Sequence, residues 1–207
     1  MKSLRAFLEI WFGALVVCAA TAALAFARLD VPLAEHFWRT GHFLHPLSNA
    51  LGASIILTVE AAVALGLILA RVIRGHISRV GEASAIACLA SISTYGMNSE
   101  VLKPFFGVPT PRDVIDGARH SFYFFMGSGN SSFPSGHMML AGAFAGAFVM
   151  FYRVSLWPLC ALLALAAALL VVGGWHFVSD VIAGTFVGVS AGILAGEAWI
   201  VHSKLLR

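Results

Sequence analysis

The stretch FLEIWFGALVVCAATAALAF, residues 7–26, decides the class of fold. It holds 20 residues with a single charge, Glu9, and no proline. Wound as an α-helix, a run of that length rises about 30 Å, the thickness of a bilayer's hydrocarbon core. In lipid a backbone can satisfy its own polar groups only by helical or closed-barrel pairing. Lys2 and Arg5 precede the run, and Ala25-Phe26-Ala27 near its end looks like a signal-peptidase site. A signal h-region is only about 7–15 residues long, so the run reads as a retained first span with Glu9 near its inner end.

Working outward, five further apolar segments can be drawn, at residues 47–70, 83–97, 138–152, 156–172 and 181–201. The segments at 83–97 and 138–152 are short and must borrow from their flanks to cross. The expectation is an all-α, polytopic membrane protein: one domain over 1–207, built as a six-transmembrane-helix bundle. Composition agrees. Of 207 residues, 59% are hydrophobic and 11% charged, against a usual charged share of about 25%. Mean hydropathy is +0.88. So few charges exclude a water-soluble globule, a disordered chain and a nucleic-acid binder. The net charge of +3 points to no polyanionic partner. Cys18, Cys88 and Cys160 each sit in an apolar run without a CxxC, so neither a disulfide framework nor a zinc site is indicated.

The 13 lysines and arginines sort by side. Lys2, Arg5, Arg71, Arg74, Arg79, Arg153, Lys204 and Arg207 fall on one side; Arg28, Arg39, Lys103, Arg112 and Arg119 fall on the other. The positive-inside rule then puts both termini in the cytoplasm, with the inner membrane of a bacterium as the expected location. Lys103, Arg112 and Arg119 cluster in the one long polar loop, residues 98–134, which ends in the turn-rich Gly127-Ser128-Gly129-Asn130-Ser131-Ser132. In the last span Gly184, Gly188, Gly192 and Gly196 recur every fourth residue. That ribbon, like Gly142 and Gly146 in the fourth span, reads as a close helix-packing face.

Three polar clusters interrupt the apolar chain: Lys103 to Arg112, Phe133-Pro134-Ser135-Gly136-His137, and Gly173 to Asp180. The span assignment puts all three at one membrane face. Ser135-Gly136-His137 at a helix start offers backbone N–H groups and a positive dipole end, an anion site. Lys103 adds a cation, and Arg112 a second of bidentate geometry. His176 and Asp180, four residues apart, share a helical face. Asp180 would accept the imidazole Nδ1–H and leave Nε2 as nucleophile, while His137 protonates a departing oxygen.

Lys103, then Pro134-Ser135-Gly136-His137, then His176 with Asp180 four residues on and Val181-Ile182-Ala183-Gly184 after it resembles the type 2 phosphatidic acid phosphatase superfamily. The resemblance implies a six-helix membrane core and dephosphorylation of lipid phosphates or diphosphates through a phosphohistidine, without a metal or other cofactor. It assigns His176, His137 and Asp180 to catalysis and Lys103, Ser135 and Gly136 to phosphate binding. Two family arginines are absent: Thr110-Pro111 stands where Arg-Pro is expected, and Leu169-Leu170 where Ser-Arg is expected. Phosphoryl transfer depends on charge neutralisation, so Arg112 and Arg119 are the expected substitutes.

The expected partners are therefore a lipid-anchored phosphate substrate and membrane lipids. A phosphotransferase using the same site, and a non-catalytic relative that binds or moves phospholipid, are the alternative readings. The remaining polar residues read as structural: Glu60 as a mid-span contact, Asp113 and Asp116 as a solvated turn, and Trp157, Trp175 and Trp199 as interfacial aromatics. His36, His42 and His45 match no ligand spacing, and His120 reads as a proton carrier near the site.

Overall fold

The structure, a computed structural model, describes residues 2–40, 52–117, 125 and 131–205, and among these every regular element is helical. Helix α1 spans Lys2–Arg28 and α2 spans Asp30–Arg39. The second is a departure from the sequence reading, which placed an outer loop there. Its apolar and polar residues alternate with helical period, and Glu35 pairs with Arg39 one turn on.

Helix α3, Ala53–Arg74, stops at Gly75, whose φ of 74° is a left-handed cap that glycine adopts at little cost. Helix α4, Arg79–Met97, starts at Ser78, whose hydroxyl accepts from the Gly81 N–H. A π-helical turn, Asn98–Leu102, carries it into the short α5, Lys103–Phe106. Helix α6, Pro111–Ile115, opens on a capping box between Thr110 and Asp113. Helices α7, Gly136–Phe151, α8, Leu156–Val172, and α9, Val178–Leu205, complete the chain.

Among the described residues four helices are long and apolar enough to cross a membrane: Phe7–Arg28, Ala53–Arg74, Arg153–Val172 and Val178–Lys204. The other two segments expected to span fall short of that standard. Helix α4 carries Arg79 and Glu82 in its first turn. Helix α7 is apolar but has 16 residues, about 24 Å against a core of about 30 Å. Its position explains the tolerance. It is buried on most of its circumference, against α4 through Ala87, Ala90 and Ala147 and against α9 through its glycines. A helix walled in by protein on its faces need not match the lipid thickness.

The α7–α9 contact is set by the glycine ribbon. A Cβ on Gly184 would lie 2.6 Å from the Ser135 carbonyl oxygen, on Gly188 2.6 Å from that of Met139, and on Gly192 2.1 Å from that of Ala143. Each step of four on α9 meets a step of four on α7, so the two helices run parallel in fixed register. The packing role read from the sequence is what the structure uses.

Two ends of the bundle are thereby defined. At one, Ser179 N–H and Oγ both donate to Asp30, and Asn98 Nδ2 donates to the Pro134 carbonyl. At the other, Trp199 Nε1 donates to Glu82, and Arg79 donates to the Phe151 carbonyl and lies over the Tyr152 ring. The arginine-rich end is thus opposite the end that gathers the three polar clusters.

Candidate active site

Helix α7 begins where the second cluster ends. Ser135 is its N-cap: the hydroxyl accepts from Met138 N–H at 3.4 Å, and the Ser135 N–H donates to the Asp180 carbonyl oxygen at 3.1 Å. The cap therefore joins the start of α7 to the first turn of α9. Gly136 is glycine for a packing reason: a Cβ there would lie 2.9 Å from Tyr95 Cε2 and 3.2 Å from Asn98 Nδ2. The first-turn N–H groups and positive dipole end of α7 open beside this seam.

The two histidines meet at that point. Their ring centroids are 5.8 Å apart, inclined at 69°. His137 stacks on Trp175 at 6.0 Å, so Trp175 supports the site and is not simply the interfacial aromatic that the sequence suggested. His176 is held by the turn between α8 and α9, its N–H and that of Trp175 both donating to the Leu170 carbonyl. Leu170, at a position where an arginine was expected, packs on Met138 and Val181 in an apolar cluster beneath this turn.

His176 presents Nδ1 to Asp180 Oδ2 at 3.5 Å and to Ser132 Oγ at 3.4 Å. Ser132 Oγ donates to the same Asp180 oxygen, which also accepts from Phe177 N–H at 2.8 Å. Asp180 is fully buried, and its Oδ1 has no hydrogen-bond partner among the described residues. Ser132 was missed from sequence, where it belongs to a run of turn-forming residues.

Lys103 lies at the start of α5, whose last turn ends at Gly107 with a φ of 57°. Burial pushes the Lys103 ammonium below the ordinary lysine range, and the Asp180 carboxylate pulls it part of the way back. The two charges therefore sense each other across the site. Asp30 is a second carboxylate nearby, also unanticipated. Burial pushes it up, the Ser179 hydrogen bonds pull it down, and the Asp180 charge adds a smaller upward push. By accepting from Ser179 N–H it caps α9 from another helix.

Not every expected residue joins this group. Arg112 is exposed on α6, with Nε 3.4 Å from Asp116. Asp113 is taken by the Thr110 capping box. The Asp113 and Asp116 side chains are thus engaged locally, in a short capped helix with Asp113 half-buried, where the sequence reads a solvated turn. Arg119, His120, His42 and His45 lie outside the described residues.

No curated protein and no solved structure matches the chain. A family model described as the PAP2 superfamily matches residues 83–201, from the start of α4 to near the end of α9. That match covers more than half of the chain and takes in all three clusters that the fold draws together, and on it this chain belongs to the PAP2 superfamily.

Proposed function

We propose that this protein is a membrane phosphatase that releases phosphate from a lipid-anchored phosphate or diphosphate through a phosphohistidine on His176. The observation that carries the reading is the facing pair, His137 and His176, at the N-terminus of α7, with the His176 Nδ1 edge turned to a buried carboxylate. Such an edge partner leaves Nε2 as the reactive nitrogen.

In the proposed reaction, phosphate oxygens sit against Lys103 and the first-turn N–H groups of α7, the Ser135 and Gly136 region. His176 Nε2 attacks phosphorus in line as the bond to the leaving oxygen breaks, and His137 gives that oxygen a proton. Water then attacks the phosphohistidine, His137 accepts a proton from it, and inorganic phosphate leaves with His176 restored. An alcohol in place of water would give a phosphotransferase. Lys103 supplies the fixed cation, and Arg112 sits outside the site, exposed on α6 beside Asp116.

The lipid part of the reading rests on a groove of about 590 Å³ between α1 and α9. Phe106, Phe133 and Pro134 line its head, beside the phosphate cradle, and it follows α1 from Phe26 to Leu15, about 16 Å along the helix. An acyl or prenyl chain fits a slot that is apolar but for Ser179 and begins where its phosphate would be held. With the arginine-rich end in the cytoplasm, the site faces the extracytoplasmic leaflet.

Purified protein in detergent with EDTA, offered a panel of lipid phosphates and diphosphates, is expected to release inorganic phosphate from at least one. Silence across the panel, or release only after a divalent metal is restored, would remove the reading.

The lowered Lys103 sets a pH dependence. A lysine is charged below its pKa, so phosphate affinity should weaken as pH rises through a value under the usual lysine range. Between about pH 7 and about pH 10 the wild-type KM should climb, whereas Lys103→Arg, always charged in this range, should show no such climb relative to its own neutral value. The same alkaline rise in both proteins would show that Lys103 does not carry the effect.

A further inference from the structure

We infer that Ser132 is a positioning residue, the middle member of an Asp180–Ser132–His176 relay that fixes which nitrogen of His176 is available. This rests on the proposed role of His176 as nucleophile and adds a residue to it. Ser132 is buried at 1% exposure, in a site where a hydroxyl must find partners. Its Oγ touches both His176 Nδ1 and Asp180 Oδ2.

The direction of the hydrogen bonds follows from counting hydrogens. An ionised carboxylate can only accept, and a serine hydroxyl has one hydrogen to give. That hydrogen goes to Asp180. The oxygen facing His176 must then accept, so Nδ1 carries the ring's hydrogen and the neutral imidazole keeps its lone pair on Nε2. No proton leaves the relay; Nδ1–H, Oγ–H and Oδ2 hold one another in order. When His176 becomes positively charged on phosphorylation, the Nδ1–H to Oγ bond becomes charge-assisted, and Asp180 Oδ2, 3.5 Å from Nδ1, faces the new charge.

The placement of Ser132 is itself built. Its N–H donates to the Val108 carbonyl oxygen at 2.8 Å, which ties it to the segment that follows Lys103. Asp180 reaches it from α9, and the Ser135 cap, three residues on, is fixed to the Asp180 carbonyl. One residue therefore sits where the three polar clusters converge, its N–H holding the Lys103 segment and its hydroxyl facing Asp180 and the nucleophile.

Two measurements on the full-length protein in detergent test this. The first is the tautomer of neutral His176 by nitrogen NMR, with the signal assigned by its loss in His176→Gln. The Nδ1–H form should dominate in the wild type and give way to the Nε2–H form in Ser132→Ala. This needs no substrate, so it decides the relay even if no phosphate release is ever found. The second is kinetic. Ser132→Ala should lower kcat about 10- to 100-fold, the worth of a hydrogen bond to a charged group, with KM nearly unchanged. Because Ser132 acts through Asp180, adding Ser132→Ala to Asp180→Ala should cost less than about threefold more. An unchanged tautomer, wild-type kcat in Ser132→Ala, or losses that multiply in the double variant would each overturn the relay. Absence of phosphate release by the wild type would instead strike the phosphatase reading.

Discussion

His176→Ala is expected to yield a folded protein that releases no measurable phosphate, a loss of about 10⁴-fold or more, as for removal of an enzymic nucleophile. The turn that carries it should survive the change. Its backbone bonds to the Leu170 carbonyl do not involve the imidazole, and the Phe177 N–H keeps Asp180 in place. A thermal melt like that of the wild type would establish that the fold is intact. His137→Ala separates the two histidines chemically. If His137 serves to protonate the leaving oxygen, its loss matters little for an aryl phosphate, whose leaving group departs without a proton, and much for an alkyl one. His176→Ala should fail on both. Retained turnover in His176→Ala would remove the proposed nucleophile and with it the phosphohistidine route.

The chemistry of the site and the order of its parts are both legible in the chain. Apolar run length and the sign of the flanking charges are local properties, so α1, α3, α8 and α9 can be read with errors only at their ends. The alternation of the segments also brings Lys103, His137, His176 and Asp180 to one end without any knowledge of packing. What the chain hides is partnership across distance. Asp30 follows the first span with no neighbouring motif, and its partner Ser179 is 149 residues away. Ser132 stands in a string of serines, glycines and asparagine that says turn; only the arrival of Asp180 and His176 gives its hydroxyl a task. Trp175 has the composition and position of an interfacial anchor, and becomes a platform because His137 stacks there. Ten residues with a proline and mixed polarity give a weak periodic signal, so α2 is not legible as a helix from its sequence. Helices α4 and α7 depart from the span pattern for a related reason: both bury small residues against other helices, and burial by protein lets α4 keep charges in its first turn and lets α7 be short although apolar.

The glycine ribbon gives the second large effect, and it couples stability to the site. Gly192→Val would put a Cβ 2.1 Å from the Ala143 carbonyl oxygen and 2.7 Å from the Ala147 nitrogen. Both are backbone atoms in the middle of a helix, which no rotamer change can move aside. Helix α7 has no room to withdraw, because its far side packs on Ala87 and Ala90 of α4. The helices must part, at a cost of about 3 kcal/mol or more, the upper end for overpacking. Gly66→Val is the matched control: nothing lies within 4 Å of a Cβ there, and a side chain in place of glycine slightly favours a helix. Melting in detergent should therefore fall steeply for Gly192→Val and stay near wild type for Gly66→Val. Activity should fall in step. Gly184 holds the Ser135 backbone by the same ribbon two turns away, so parting α7 from α9 shifts His137 against His176 although Gly192 itself is about 18 Å from Asp180 along α9. A Gly192→Val protein that melts and turns over like Gly66→Val would mean that α7 and α9 do not lie in this register, and that the site they frame is assembled in some other way.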